Sequence, residues 1–253
     1  MSSIKRLRIF AGPNGSGKST FINEIKVHPP SPSFKLGYYV NADEIENTLK
    51  NEGCFDFNHY GIKVTTLQVQ SHFRNSTFAP FKLDIPELWE DFDVKDNCLF
   101  INKKQPINSY IAADLAEFIR QNILSAFFSF SYETVMSDEK KIHFLEKAKK
   151  HGYRIYLYYF ATEDPIININ RVKIRVAQQG HHVEPEIIKK RYYKSLQNLK
   201  AAIKLSDRAY LFDNSKQASV LISEITYGKN VHIIDPTNVP NWFAEYVVDN
   251  KKE

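Results

Sequence analysis

The alternation of apolar and polar positions divides the chain into short apolar runs and longer stretches with helical spacing. Residues 7–11 form an apolar run interrupted by Arg8 and broken at Gly12, which reads as a strand entering a loop. Residues 18–26 carry Phe21, Ile22 and Ile25 at helical spacing, and the prolines of segment 28–33 end that helix. A second short strand is expected at 37–41 and a helix at 43–50. Residues 109–124 place Ile111, Leu115, Phe118, Ile119 and Ile123 on one side of a helix. The aromatic-rich run 126–133 reads as a buried strand. Ser137 or Asp138 is expected to cap the next helix, whose acidic first turn and terminal Lys147, Lys149 and Lys150 suit the helix dipole, with Gly152 as its stop.

Residues 154–160 form another strand, and Pro165 and Pro185 fit the first turns of two further helices. In the second of these, Ile188, Tyr192, Leu196, Leu199 and Ile203 make one core-facing stripe. Strands follow at 209–212, 220–225 and 231–234, and a last helix is expected after Asn238 with Pro240 in its first turn. Strands alternating with helices argue for right-handed βαβ units and a parallel sheet. The segment 53–108 shows few helical periods, many aromatics, and turn signals at Pro80, Pro86 and Pro106. It reads as an inserted subdomain of mixed or β character.

Composition narrows the class. With 43% hydrophobic and 25% charged residues, the chain is a folded one and not a disordered one. The longest uncharged apolar run, 123–132, is too short to cross a bilayer as a helix, and residues 1–10 lack the apolar core of a secretory leader. A cytoplasmic location with no membrane partner is the expectation. Cys54 and Cys98 are too few for a disulfide framework or a zinc site and read as free, packed thiols. The net charge of +5 suits an anionic ligand such as a nucleotide and does not call for a nucleic acid.

The sharpest motif is Gly12-Pro13-Asn14-Gly15-Ser16-Gly17-Lys18-Ser19-Thr20, a GxxxxGK[ST] pattern lying between an expected strand and an expected helix. Glycines let successive backbone N–H groups turn toward phosphate oxygens, and the helix N-terminus adds its positive end. Lys18 would reach the β- and γ-phosphates and the Ser19 hydroxyl would ligate Mg²⁺. The expected fold is therefore α/β, a kinase-like three-layer P-loop fold with a parallel sheet, a single domain over 1–253 carrying the 53–108 insertion. ATP and Mg²⁺ are the implied cofactors.

The motif leaves open what receives the phosphate. Ligands of open α/β sheets bind beyond the carboxyl ends of the strands. Asn41-Ala42-Asp43-Glu44 follow the second strand, and Glu133-Thr134 the third. Asp43 is the preferred general base for an attacking hydroxyl, with helix capping as its alternative role and Glu44 as the alternative base. Glu133 would hold the acceptor hydroxyl or the metal through water, or else stand as an edge carboxylate in solvent. Arg171 and Arg175, one turn apart, share a helix face, and Arg191 returns on the next helix. Arginines of this kind clamp the charge spread over a transferring phosphoryl group, so the hairpin reads as an arginine-bearing lid, against the plainer reading of a solvated helix pair. His181 and His182 at its expected tip read as a loop contact and not as metal ligands.

Four blocks resemble the zeta-toxin family of P-loop kinases, in particular its stand-alone branch often called predicted ABC-type ATPase: AGPNGSGKST at 11–20, VNADEI at 40–45, YETVMS at 132–137, and the run RVKIRVAQQGHHVEPEIIKKRYYKSLQNL at 171–199. Asp213-Asn214-Ser215 also matches a late element of that branch. The resemblance covers 7–45 and roughly 109–215. It implies a kinase using ATP and Mg²⁺, an acceptor hydroxyl that in relatives belongs to UDP-N-acetylglucosamine, and an antitoxin partner. By motif it places Lys18 on the phosphates, Ser19 on the metal, Asp43 as base, Glu133 and Thr134 at the acceptor, and Arg171 and Arg175 on the transferring group. The chain departs from the branch at Gln179, where a glycine is usual, and in the length of 53–108, so the relatives' substrate does not carry over by itself. A different class of function, a regulatory ATPase working through a protein or nucleic acid, would use the insert as its docking surface. The chain lacks the LSGGQ-like signature and the apolar strand ending in Asp-Glu that ABC-type ATPases need.

Overall fold

A computed structural model describes residues 4–102, 107–178 and 183–248. In chain order the elements are β1 (Arg6–Ala11), α1 (Lys18–Val27), β2 (Tyr38–Val40), α2 (Ala42–Glu52), β3 (Cys54–Asp56), α3 (Thr66–Asn75), α4 (Ala79–Leu83), β4 (Phe92–Lys95), β5 (Cys98–Ile101), α5 (Ser109–Ser125) and β6 (Phe130–Thr134). They continue with α6 (Lys140–Lys150), β7 (Arg154–Ala161), α7 (Pro165–Ala177), α8 (Pro185–Leu205), β8 (Arg208–Asp213), β9 (Val220–Thr226), β10 (Asn230–Ile233) and α9 (Asn241–Phe243). The chain divides into two compact units, one from the described residues of Met1–Leu36 and Ser131–Glu253, the other Gly37–Phe130.

In the first unit the strands run in the order β10-β9-β8-β7-β1-β6. β1 pairs in parallel with β7, and β7 with β8, while β8, β9 and β10 are antiparallel. Alternation along the strands gives the sheet two unlike faces. Leu7, Ile9, Ile155, Leu157, Tyr159, Ala209 and Leu211 fill one face and are fully buried. Helices α6 and α8 cover it, and the α8 stripe of Ile188, Tyr192, Leu196, Leu199 and Ile203 is buried along its whole length. The other face carries Phe10, Tyr158, Phe160 and Phe212, onto which α1 lays the ring of Phe21, 4.9 Å from Phe160 and 5.1 Å from Phe212. This is the expected layering of helices on both sides of a largely parallel sheet.

Pro165 and Pro185 stand in the first turns of α7 and α8. Two expectations need correction here. Asp138 and Glu139 precede the first turn of α6 instead of filling it, and Asp138 accepts from the Lys140 amide at 2.9 Å. Pro240 caps α9 from outside, and after Phe243 the backbone widens into a single π turn over Ala244–Val248. The expected hairpin tip at Gln179, Gly180, His181 and His182 lies outside the described residues.

The second unit contains β2, α2, α5 and a three-stranded antiparallel sheet in the order β3-β5-β4. Asp96 and Asn97, both with positive φ, make the two-residue turn between β4 and β5. Phe55, Phe57, Phe73, Phe92 and Leu99 form its core. The aromatic run expected to be strand from 126 begins as one only at Phe130, because Ala126 caps α5 and Phe127 takes a left-handed conformation. Asn41, and not Asp43, caps α2, its Oδ1 accepting the Asp43 amide at 2.8 Å. Cys54 and Cys98 are free and half-buried on neighbouring strands. Burial, with the Cys54 thiol beside it, pushes Cys98 up to about 11, which keeps it a neutral packing group.

Candidate active site

The site grows from the end of β1. Gly12 closes the strand with φ +140 and donates its amide to Thr134 O of β6 at 3.2 Å. A side chain there would strike Phe160 O, which lies 2.1 Å from an ideal Cβ. The loop then turns through Gly15 and Gly17, and α1 starts at Lys18 with no side chain capping it and no acidic residue in its first turn. No residue of the helix itself therefore offsets the positive end at its first amides, which favours an anion.

Two asparagines from distant parts of the chain hold this loop. Asn168 of α7, fully buried, donates Nδ2 to Asn14 O at 2.7 Å and accepts from the Thr162 hydroxyl. Asn214, just past β8, donates Nδ2 to Ser16 O at 2.8 Å. The same contacts explain the glycines between them: a Cβ on Gly15 would lie 2.7 Å from Asn168 O, and one on Gly17 would lie 1.9 Å from Asn214 Nδ2. Neither asparagine stood out as a site residue from sequence. Asn214 lay within the matched late element, but nothing near it in the chain revealed its partner.

Lys18 is buried, and its Nζ donates to Gly12 O and Pro13 O, both at 2.8 Å. The ammonium thus lies inside the curl of the loop. Ser19 is exposed and donates its hydroxyl to Glu133 Oε2 at 2.8 Å. Thr134 contributes its carbonyl to Gly12 and its hydroxyl to the Met136 amide at 3.1 Å, so its part in this arrangement is to shape the β6 exit. Met136 is buried with a left-handed φ of 58 and is pinned by Asn198 Nδ2 on its carbonyl at 2.9 Å.

The arginines occupy different situations. Arg171 places its two terminal nitrogens on Asn214 O at 2.7 Å and Lys216 O at 3.0 Å, tying α7 to the loop after β8. Arg175 lies one turn further along α7 and Arg191 near the start of α8, both half-buried. Asp43 and Glu44 fall in the second unit, exposed in the first turn of α2. With Asn41 doing the capping, the Asp43 carboxylate makes no hydrogen bond among the described residues.

The residues fit a nucleoside triphosphate and a hard cation: an uncapped helix start, a lysine inside a glycine loop, and a hydroxyl paired with one carboxylate. Among the described residues no group of three or more His, Cys, Asp or Glu stands ready for a metal. A model of the zeta toxin family matches residues 108–246, more than half of the sequence. The chain belongs to the zeta toxin family. An uncharacterized protein of Haemophilus influenzae is 33% identical over 63 residues, 25% of this chain and 45% of the relative, so the chain spans under half of that curated relative. Among solved structures, one from the PezAT chromosomal toxin–antitoxin system of Streptococcus pneumoniae superposes with a TM-score of 0.53 at 13% identity over 100% of this chain and 82% of that one. The native AvrRxo1-ORF1:-ORF2 complex gives 0.51 at 14% identity, over 92% of this chain and 62% of that one. Both likenesses are of fold. Among the described residues no helix is long and apolar enough to cross a membrane.

Proposed function

We propose that this member of the zeta toxin family is a kinase that moves the γ-phosphate of ATP to a hydroxyl group of a small molecule. The observation that carries the reading is the conjunction at α1: the Ser19 hydroxyl on the Glu133 carboxylate beside the uncapped helix start, with Lys18 held in the loop. In this reading Lys18 exchanges its two loop carbonyls for β- and γ-phosphate oxygens. Ser19 and Glu133 hold Mg²⁺, which when bound neutralises phosphate charge. Asp43 takes the proton of the attacking hydroxyl, and Glu44 and Thr134 border the acceptor. Arg171 is committed to backbone carbonyls, so it positions α7, and Arg175 and Arg191 meet the charge that spreads over the transferring group.

UDP-N-acetylglucosamine is the first acceptor to assay, since characterised members of the family use it. A second protein as antitoxin accords with the toxin–antitoxin system named for the PezAT structure. The test is Asp43→Asn. The variant should bind ATP as the parent does and lose phosphoryl transfer by about 100-fold or more, the usual scale for removing a general base. Transfer at the parental rate would remove Asp43 from the mechanism.

A further inference from the structure

The sheet of the first unit ends at β10, and among the described residues no strand lies beyond it. Ile234 donates its amide to Ile222 O at 2.9 Å, and the His232 carbonyl accepts from the Ser223 hydroxyl at 2.9 Å. The even-numbered residues thus turn their backbone groups toward β9. Antiparallel ladders alternate, which leaves the N–H and C=O of Val231 and Ile233 facing outward at the edge. Exposed edges are commonly blunted by a lysine or proline inside the strand. Residues 230–234 read Asn-Val-His-Ile-Ile, with no proline and no formal charge, and Val231, His232 and Ile234 are exposed. Lys229 stands just before this run and Asp235 just after it, both exposed.

The order of these residues decides what fits the edge. Laid antiparallel on itself about a two-fold axis at His232, the segment sets Val231 against Ile233 of the second copy, and Ile233 against that copy's Val231. Each of these opposed pairs exchanges two backbone hydrogen bonds, about four in all. In the same register Lys229 faces Asp235 of the second copy, once at each end. Within the chain the Lys229 ammonium has no counter-charge among the described residues. Asp235 Oδ1 accepts the Thr237 hydroxyl at 2.6 Å and the Thr237 amide at 3.0 Å, which holds the carboxyl below its usual range and leaves Oδ2 open.

No other register does this. A slip of about two residues, the least that keeps the pleat in step, sets Lys229 against Ile233 or Thr237 and Asp235 against Tyr227 or Val231, all uncharged. A foreign strand carrying one sign of charge would satisfy one end of the edge and oppose the other. The net charge of +5 on each molecule acts only weakly here, because exposed charges are screened beyond about 8 Å at physiological salt.

We infer that β10 is a self-association edge: two copies of this chain pair their β10 strands antiparallel, Val231 against Ile233 and Lys229 against Asp235, and join their sheets across a two-fold axis. The contact is small in area, so the dimer is a reversible one. β9, β8 and β7 separate β10 from β1, roughly 19 Å at about 4.8 Å per strand, so the inference stands or falls independently of the kinase reading.

The test is sedimentation velocity on the full chain from about 1 μM to about 200 μM, a range that covers weak interfaces. The parent should shift from monomer to dimer across it. Ile233→Pro removes one outward amide from each copy and none of the bonds to β9, and should stay monomeric throughout with ATP affinity unchanged. If that variant does not fold, Val231→Lys puts a charge in the middle of the edge and should also abolish the dimer. Lys229→Glu sets like charges opposite each other and should weaken the dimer about 10-fold, and Lys229→Glu/Asp235→Lys should restore it. A parent that is monomeric at every concentration, or a dimer that persists at parental strength in Ile233→Pro or Val231→Lys, would overturn the inference. So would a dimer that Lys229→Glu leaves unchanged, since the register would then be wrong.

Discussion

Asn214→Ala isolates the clamp on the phosphate loop. The substitution deletes a single side-chain hydrogen bond, Nδ2 to Ser16 O at 2.8 Å, and leaves the Asn214 carbonyl in place for Arg171. Ser16 is fully buried, so its carbonyl loses its partner in a site poor in water. A buried acceptor left without a bond costs about 1–3 kcal/mol. Part of that cost falls on the loop's geometry and not on the whole fold, because Asn168 still holds Asn14 O on the other side. Urea denaturation should show a loss of stability within that range, and calorimetry should show ATP affinity reduced by about 10-fold, which corresponds to about 1.4 kcal/mol. Asn168→Ala should do the same or more, since it also strips the acceptor of the Thr162 hydroxyl. If Asn214→Ala lowers stability and leaves ATP affinity as it was, the clamp does not set the loop's binding geometry and the reasoning fails.

Gly15→Ala and Gly53→Ala start from the same left-handed backbone, φ +73 and +72, but a Cβ on Gly15 meets Asn168 O at 2.7 Å and one on Gly53 meets nothing within 4 Å. Gly53→Ala should cost only the conformational penalty, about 1 kcal/mol, whereas Gly15→Ala should cost clearly more by denaturation and abolish ATP binding; equal costs would refute the steric argument. Alkali offers a further check. Burial, with a smaller contribution from Glu44, pushes Tyr60 up to about 12, and burial does the same for Tyr158 against the opposing pull of Arg8. Folded-state values raised above the ordinary 10 stabilise the neutral form, so this stability is complete below pH 10 and is lost as pH rises through 10 to 12. Urea midpoints should be level from pH 8 to about 9.5 and then fall steeply, and a flat profile to pH 12 would contradict the burial of these phenols.

The legible parts of the fold were those whose burial is written locally. β1 presents Leu7, Ile9 and Ala11 on one buried face, β7 is aliphatic or aromatic from Ile155 to Ala161, and α8 repeats its stripe over Ile188, Tyr192, Leu196, Leu199 and Ile203, so local pattern located them. The second unit resisted because β3, β4 and β5 are three or four residues long, too short for a period to register, and its core forms from rings far apart in sequence. In the site, the glycine loop was legible as a contiguous motif. The Ser19–Glu133 pair was not, because its members are 114 residues apart, and neither was the clamp, whose asparagines reach back 154 and 198 residues. Asn198 and Ser195, noticed only as parts of a resembling block, turn out to pin Met136 O and to pair with the Tyr159 hydroxyl at 2.9 Å. The expected lid is qualified for the same reason: Asn168 and Arg171 fasten the first half of α7 to the loop and to the β8 exit, so that half is part of the frame.

This bears on how much a glycine loop proves. Gly15 and Gly17 are required here by the close approach of Asn168 and Asn214, a constraint internal to the protein, so the glycine pattern alone would be satisfied by a loop that binds nothing. The groups that point beyond the protein are different ones. A ten-residue helix begins with neither cap nor acid, and a lysine amine is buried on two carbonyls where a hydrophobic residue would fold at lower cost. A serine hydroxyl meets a carboxylate at the loop's rim. Burying an ammonium carries a desolvation cost, and that cost makes sense when an anion is to replace the loop carbonyls. Lys18→Met should therefore fold at least as stably as the parent while losing ATP binding. If it folds less stably, the lysine is a structural strut and the argument for a phosphate site rests on the helix start alone.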